Sequence, residues 1–185
     1  MAPRLVILDR DGVINHDSDE FIKSPDEWRP IPGSLEAIGR LCAAGFDVAV
    51  ATNQSGIGRR LLDKPALEAI HARMRAAVRE HGGHIDRIVW CPHLPGDGCD
   101  CRKPATGLLE RLGRHYGLAL TGVPMIGDSV RDIDAALAAG GRPMLVLTGN
   151  GSKSAGVLAA RGIGVEQYAD LAAAAVALIG ETRAA

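Results

Sequence analysis

The sequence predicts an α/β protein, a doubly wound parallel sheet with helices on both faces, forming one domain over residues 1–185. Short aliphatic runs alternate with segments whose apolar residues recur at helical spacing, the pattern of successive βαβ units. Several of those runs end in acidic, amide-bearing or glycine-bearing turns, as strands of open α/β sheets do at the carboxyl edge where ligands bind. Of the 185 residues, 46% are hydrophobic but only 3% are aromatic, so aliphatic side chains must fill the core.

Taken in order, Leu5-Val6-Ile7-Leu8 is a buried strand. Residues 12–32 are irregular, because Pro25, Pro30 and Pro32 exclude a long helix. Gly33–Ala44 is predicted helical, with Leu35, Ile38, Leu41 and Cys42 on one face and Gly45 ending it. A strand follows to Ala51. Asp63 caps a helix over Pro65–His81, in which Leu67, Ile70, Met74 and Val78 fall at helical spacing. Gly82-Gly83 breaks it. Ile85–Trp90 is a strand, Thr106–Tyr116 a helix with Pro104 at its opening, and Val123–Ile126 a strand. Ile133–Ala139 is a helix and Met144–Leu147 a fifth strand. Residues 149–162 read as a glycine-rich connection with one helical turn, Leu171–Ile179 as the closing helix and Thr182–Ala185 as a frayed tail. No internal repeat is visible, and no cap domain is inserted between these elements.

Charge and hydropathy remove several function classes. With 21 basic and 22 acidic residues the net charge is −1, so no basic field calls for nucleic acid and no basic amphipathic segment for a membrane surface. Every apolar stretch is shorter than the ~18 residues of a transmembrane helix. Asp9 interrupts the N-terminal apolar run before it could act as a signal peptide, so a cytosolic location is expected, and a monomer.

Four motifs carry chemistry. In Asp9-Arg10-Asp11-Gly12-Val13, two carboxylates one residue apart end the first strand, where their repulsion calls for a cation or a proton. This suits a carboxylate nucleophile with an acid partner. Thr52-Asn53-Gln54-Ser55-Gly56 ends the second strand in a hydroxyl, amides and free backbone N–H groups, donors suited to phosphate. Arg102-Lys103-Pro104 puts two cations at the end of a loop. Ile126-Gly127-Asp128-Ser129-Val130-Arg131-Asp132 repeats the strand-then-carboxylate pattern, with Asp132 one helical turn beyond Asp128. Oxygen-rich carboxylate clusters beside a phosphate favour Mg2+ over softer metals.

Cys91-Pro92-His93 and Cys99-Asp100-Cys101 gather four soft ligands, and three cysteines with one histidine make a closed tetrahedral Zn2+ set. Disulfides are the alternative, disfavoured in a reducing cytosol. Such a zinc would be structural and would fix the loop that carries Arg102 and Lys103. Cys42 reads as core, Trp28 and Trp90 as packing, and His71, His81 and His84 as solvated helix ends. His115 reads as a helix-surface residue, and His16 lies near the active edge without an assigned chemical role.

Taken in order, D-x-D-G-V, T-N, K-P and G-D-x-x-x-D resemble the haloacid dehalogenase (HAD) superfamily of phosphohydrolases, from about Leu5 to Thr148. The fuller strings D-R-D-G-V-I-N, T-N-Q-S-G-I-G-R and C-P-H…C-x-C-R-K-P are similar to its heptose bisphosphate and histidinol phosphatase group. The resemblance implies a HAD-like Rossmannoid core, no inserted cap domain and a zinc-bound loop. It makes Asp9 the nucleophile that becomes an aspartyl phosphate and Asp11 the general acid and base. Asp11 is expected to start protonated, crowded by Asp9 and Asp128. Mg2+ would be held by Asp9, the Asp11 main-chain carbonyl and Asp128. Thr52 and Lys103 would hold the phosphoryl group, with Asp132 orienting Lys103. Asp17, Asp19, Asn53, Gln54, Arg102 and Ser129 would meet the substrate, Arg102 through the phosphate that is not transferred.

The implied substrate is a small phosphorylated sugar, a heptose 1,7-bisphosphate losing its 7-phosphate in lipopolysaccharide-core precursor synthesis. Loops 12–32 and 91–101 would cover it. Histidinol phosphate is the alternative within the class, since Asp17, Asp19 and Glu20 could receive an imidazole and an ammonium. A non-catalytic zinc-stabilised interaction module is the alternative outside it.

Overall fold

The computed structural model describes residues 4–184, with 183 and 184 described by backbone alone. Its strands are β1 (Arg4–Leu8), β2 (Phe46–Asn53), β3 (Arg87–Cys91), β4 (Pro124–Gly127), β5 (Arg142–Val146) and β6 (Glu166–Tyr168). All pair in parallel, in the order β3-β2-β1-β4-β5-β6. The helices are α1 (Ser34–Ala43), α2 (Ser55–Gly58), α3 (Lys64–Glu80), α4 (Gly107–Tyr116), α5 (Val130–Ala138), α6 (Gly151–Ala160) and α7 (Leu171–Ala184). Among the described residues no helix is long and apolar enough to cross a membrane.

Strand alternation assigns the two faces. Val6, Leu8, Val48, Val50, Ile126, Met144 and Val146 point into one core, filled by Leu35, Ile38 and Leu41 of α1, Leu67, Ile70 and Met74 of α3, and Leu171 and Leu178 of α7. Leu5, Ile7, Ala49, Ala51 and Met125 point the other way, against Leu108 and Leu112 of α4 and Ala135 and Ala136 of α5. Burial on both faces explains why the strands read as unbroken aliphatic runs rather than alternating ones. Cys42 is half-buried at the rim of the first core, and Trp28 is buried within it.

The chain winds outward in one direction from β1 to β3 and in the other from β4 to β6. Between the carboxyl ends of β1 and β4 the direction of winding switches, the place where open α/β sheets bind ligands. Leu8 pairs with Ile126, and the Asp9 N–H donates to the Ile126 carbonyl at 2.9 Å. Asp9 and Asp128 therefore emerge side by side.

Several sequence expectations need correction. Residues 149–162 hold α6, nearly three turns rather than one. Its glycines suggest a loop, yet Ser154 and Leu158 face inward and Gly151 packs against the Val146 carbonyl with no room for a Cβ. The short polar strand β6 carries no apolar run to betray it and lies at the sheet edge. Residues 182–184 continue α7, with the Thr182 hydroxyl donating to the Ile179 carbonyl at 2.8 Å; Ala185 lies outside the described residues. Pro104 does not open α4, which begins at Gly107. α5 starts three residues early, at Val130, because Ser129 and Asp132 form a capping box. His71 is not solvated: it sits 7% exposed on the inner side of α3.

Candidate active site

β1 delivers Asp9 at its carboxyl end. Oδ1 of Asp9 accepts from the Arg10 N–H at 2.8 Å and lies 3.0 Å from Nζ of Lys103. Oδ2 has no protein donor among the described residues. Burial pushes the Asp9 carboxyl up to about 8 even with Lys103 beside it, and Asp132 and Asp128 add to the rise.

Lys103 is fixed from several sides. Nζ lies 2.6 Å from Asp132 Oδ1 and donates to the Ala51 carbonyl at 2.7 Å. The Asn53 side chain clamps its peptide, donating to the Lys103 carbonyl at 3.1 Å and accepting from the Lys103 N–H at 3.0 Å. Asp132 thus meets Lys103 directly. Its Oδ2 accepts from the Ser129 N–H at 3.0 Å and from the Ser129 hydroxyl at 2.6 Å.

Asp128 is seated between two glycines. A Cβ on Gly12 (φ +81°) or on Gly149 (φ +55°) would run into its carboxylate. The Asn150 N–H donates to Oδ2 at 2.7 Å, while the Asn150 amide reaches Asp17 Oδ2 at 3.3 Å. Burial raises the Asp128 carboxyl to about 6, opposed by the Asn150 N–H and supported by Asp132 and Asp17.

Asp11 departs from expectation. Rather than being crowded by Asp9 and Asp128, its carboxylate is ringed by donors: Arg10, Asn15 Nδ2 at 2.8 Å and Gln54 Nε2 at 2.8 Å. Three groups expected to bind substrate line the cavity with side chains already committed elsewhere: Asn53 to Lys103, Gln54 to Asp11 and Thr52, and Ser129 to Asp132. Buried amides and hydroxyls need partners, and the protein supplies them here.

The cavity over these residues is about 320 Å³ in volume. Loop 12–32 contributes Asp17, Ser18, Asp19, Phe21 and Ile22 to its wall, and loop 91–101 contributes Pro95. Its mouth also carries Arg59, Arg102 and Arg131. Burial first, then Arg131 and more weakly Arg59, lower the pKa of Arg102, so these guanidiniums feel one another. Three guanidiniums in one wall suit an anionic group.

Behind that rim, Cys91, His93, Cys99 and Cys101 bring their ligand atoms within 4.8 Å of one another. Sγ of Cys91 is 3.2 Å from Sγ of Cys101, and Nδ1 of His93 is 3.3 Å from Sγ of Cys101. Four soft ligands converging on one point suit Zn2+ and leave it no open position. The Arg102 guanidinium donates to the His93 carbonyl at 3.1 Å, so the loop that would hold zinc also aims Arg102.

Comparison with known proteins agrees with this geometry. The family model described as HAD-hydrolase-like matches residues 100–176. A D-glycero-β-D-manno-heptose-1,7-bisphosphate 7-phosphatase from Pseudomonas aeruginosa is 54% identical over 179 residues, 97% of this chain and 99% of that one. The Bordetella bronchiseptica protein of the same name is 52% identical over 180 residues, 96% of this chain and 99% of that one. The chain belongs to the D-glycero-β-D-manno-heptose-1,7-bisphosphate 7-phosphatase family. The B. bronchiseptica D,D-heptose 1,7-bisphosphate phosphatase, solved with magnesium and phosphate, superposes with a TM-score of 0.91 over 96% of this chain and 99% of that one. The Burkholderia thailandensis enzyme does so with a TM-score of 0.73 at 43% identity, over 95% of this chain and 98% of that one.

This chain's residues fit the magnesium found in the B. bronchiseptica enzyme. Lys103 meets Asp9 and Asp132, and the oxygens of half-buried Asp9 and of buried Asp128 and Asp132 lie within 4.8 Å of one another. Asp132 has both oxygens engaged, whereas Asp9 and Asp128 each keep one without a protein donor among the described residues. A hard divalent cation matches that remainder.

A measurable consequence follows. An acid whose folded pKa is raised holds its proton more tightly when folded, so stability is full below its unfolded value and falls as pH climbs towards the folded one. Mg2+-free protein should therefore lose thermal stability as pH rises from about 4 through 6 to about 8, the span set by Asp128 and Asp9. Mg2+ should raise the melting temperature more at pH 8 than at pH 5. A Mg2+ shift independent of pH would remove these acids as ligands.

For the second metal, protein purified without chelators should contain about one zinc per chain. Cys101→Ser should lower stability and catalysis together, because Cys101 anchors the backbone two residues before Lys103. Zinc-free protein of full activity would overturn this.

The sequence reading assigned no role to Arg10, Arg59, His71, Arg131 or Asn150. Asn150 had a signal: Thr148-Gly149-Asn150-Gly151 ends an apolar strand in a polar turn, like the other motifs. Arg59 closes the T-N-Q-S-G-I-G-R string, which was its signal, whereas His71 lies on a segment whose position only the fold reveals.

Proposed function

We propose that this protein is a Mg2+-dependent phosphatase that removes the 7-phosphate of D-glycero-β-D-manno-heptose 1,7-bisphosphate, in the supply of heptose for lipopolysaccharide core. The observation that carries this reading is the pairing of a nucleophile cluster at the sheet's switch point with an arginine rim over the same cavity. Its family relatives are named for this substrate. One phosphate sits at Asp9 while the other is held by the rim.

Asp9 Oδ2 attacks phosphorus in line and becomes an aspartyl phosphate. Lys103 and Thr52 stabilise the phosphoryl oxygens. In this reading Asp11 first takes up a proton in place of one of the hydrogen bonds it accepts from Asn15 and Gln54, gives that proton to the leaving sugar oxygen, and then takes one from the water that hydrolyses the intermediate. Mg2+, when bound by Asp9, the Asp11 carbonyl and Asp128, offsets the repulsion between carboxylate and phosphate. Every group named comes from one chain, so the reading requires no second copy. The thiol-rich loop fits a reducing cytosol.

Histidinol phosphate fits less well. Asp17 and Asp19 line the cavity but Glu20 does not, and three guanidiniums oppose an ammonium. Arg102 separates the readings. Its pairing with the retained phosphate is a charge-assisted contact worth ~1.5–3 kcal/mol. Arg102→Ala should lower kcat/KM for the heptose bisphosphate by ~10- to 150-fold while barely changing that for histidinol phosphate. Equal losses on both substrates would sink the bisphosphate reading.

A further inference from the structure

Arg10 stands between the two catalytic aspartates, yet the proposed chemistry gives it no task. It is 1% exposed although its guanidinium always carries charge. A buried charge of that kind persists only where its N–H groups find partners. Nε donates to Asp11 Oδ1 at 2.9 Å and Nη2 to Asp11 Oδ2 at 3.0 Å, a fork that fixes the plane of the Asp11 carboxylate. Nη2 also reaches Gln54 Oε1 at 3.2 Å, and the Gln54 amide in turn donates to Asp11 and Thr52.

The remaining amino group, Nη1, faces Nε2 of His71 at 3.4 Å, across from α3. A guanidinium has no acceptor. Nε2 must therefore be the unprotonated nitrogen, with the ring proton on Nδ1. Burial, aided by the Arg10 charge, holds this imidazole neutral down to about pH 3, so it serves as a constant acceptor.

We propose that Arg10 and His71 are positioning residues for proton transfer: His71 anchors the outer end of the Arg10 guanidinium, and Arg10 fixes the direction in which Asp11 presents its carboxyl to the leaving oxygen. The proposal rests on the reading of Asp11 as general acid. Without the His71 acceptor the guanidinium can swing, and the Asp11 fork swings with it. A displacement on the order of 1 Å at a reacting group is enough to cost ~10²-fold in rate.

The test compares His71→Met, which removes the acceptor, with His71→Gln, whose amide oxygen can replace Nε2. Each is assayed on the heptose bisphosphate and on p-nitrophenyl phosphate. kcat/KM reports the steps up to release of the leaving group, and nitrophenolate departs without needing a proton. His71→Met should lower kcat/KM for the sugar substrate by ~10- to 100-fold, and that for the nitrophenyl ester by no more than ~3-fold. His71→Gln should recover most of the loss. His71→Met acting like wild type, or losing equally on both substrates, would overturn the proposal. Should His71→Met fail to fold, His71→Asn takes its place, being too short to reach Arg10; His71→Asn and His71→Gln of equal activity would overturn it. Asp11→Asn, run alongside, keeps the two claims apart. A wild-type-like Asp11→Asn defeats the reading of Asp11 itself. A crippled Asp11→Asn beside a normal His71→Met defeats only the positioning role.

Discussion

Asp9→Asn should abolish turnover, by ~10⁴-fold or more, while leaving the fold and the zinc loop intact. The asparagine carbonyl can still accept from the Arg10 N–H and from Lys103, the two donors that meet Oδ1 in the native site. What changes is the other atom, because the lone pair of an amide NH2 is delocalised into its carbonyl and does not attack phosphorus. Removing an acid that burial keeps from ionising also relieves the site, so the Mg2+-free variant should be more stable than the wild type at pH 8. The stabilisation by Mg2+ should shrink at the same time. Steady-state kinetics and thermal unfolding with and without Mg2+ check all three. Substantial residual activity would remove Asp9 as the nucleophile.

Lys103→Met should be milder in activity than Asp9→Asn but costly in stability as well. Lys103 is 4% exposed and touches Asp9 at 3.0 Å and Asp132 at 2.6 Å. Burial alone would lower its pKa, yet Asp132 and then Asp9 outweigh burial and hold it above the ordinary lysine value. Taking one partner from a buried ion pair strands the other, at a cost of ~3–5 kcal/mol. Asp9 and Asp132 can escape that cost by taking up protons, so the deficit should be small at pH 5 and widen towards pH 8. Loss of a cation beside the transferred phosphoryl group should lower kcat by ~10²–10³-fold. A variant with near-native kcat would place phosphoryl stabilisation elsewhere.

Much of this was legible in the sequence because the relevant signals are local. Each aliphatic run ending in Asp9, Thr52 or Asp128 reports both a buried strand and the edge at which it stops. The Cys-x-His and Cys-x-Cys spacings report a convergence that the ligand atoms display. Asp63 as a cap is visible from its position alone, and its carboxylate accepts from the Ala66 N–H at 2.8 Å. What escaped depends on distant partners. His71 looks like a surface histidine until α3 packs it on Arg10. The glycines of 149–162 look like a loop until Gly151 is found pressed on the Val146 carbonyl. The strand over 166–168 has no pattern of its own and exists because β5 offers it an edge. Asp11 was expected to be crowded by acids, since sequence proximity says nothing of which way a side chain turns.

The loop between β3 and Lys103 is pinned at both ends. Cys91 pairs in register with Asn53 inside the sheet, and the Asn53 amide grips the Lys103 peptide at the far end. Between them, Pro95 to Gly98 form an exposed tip, of which Pro95 touches the cavity wall. Gene duplication and drift could therefore rewrite the length and composition of that tip without moving the lysine. The same stretch is a natural place for laboratory libraries that seek new phosphorylated substrates on an unchanged hydrolytic centre.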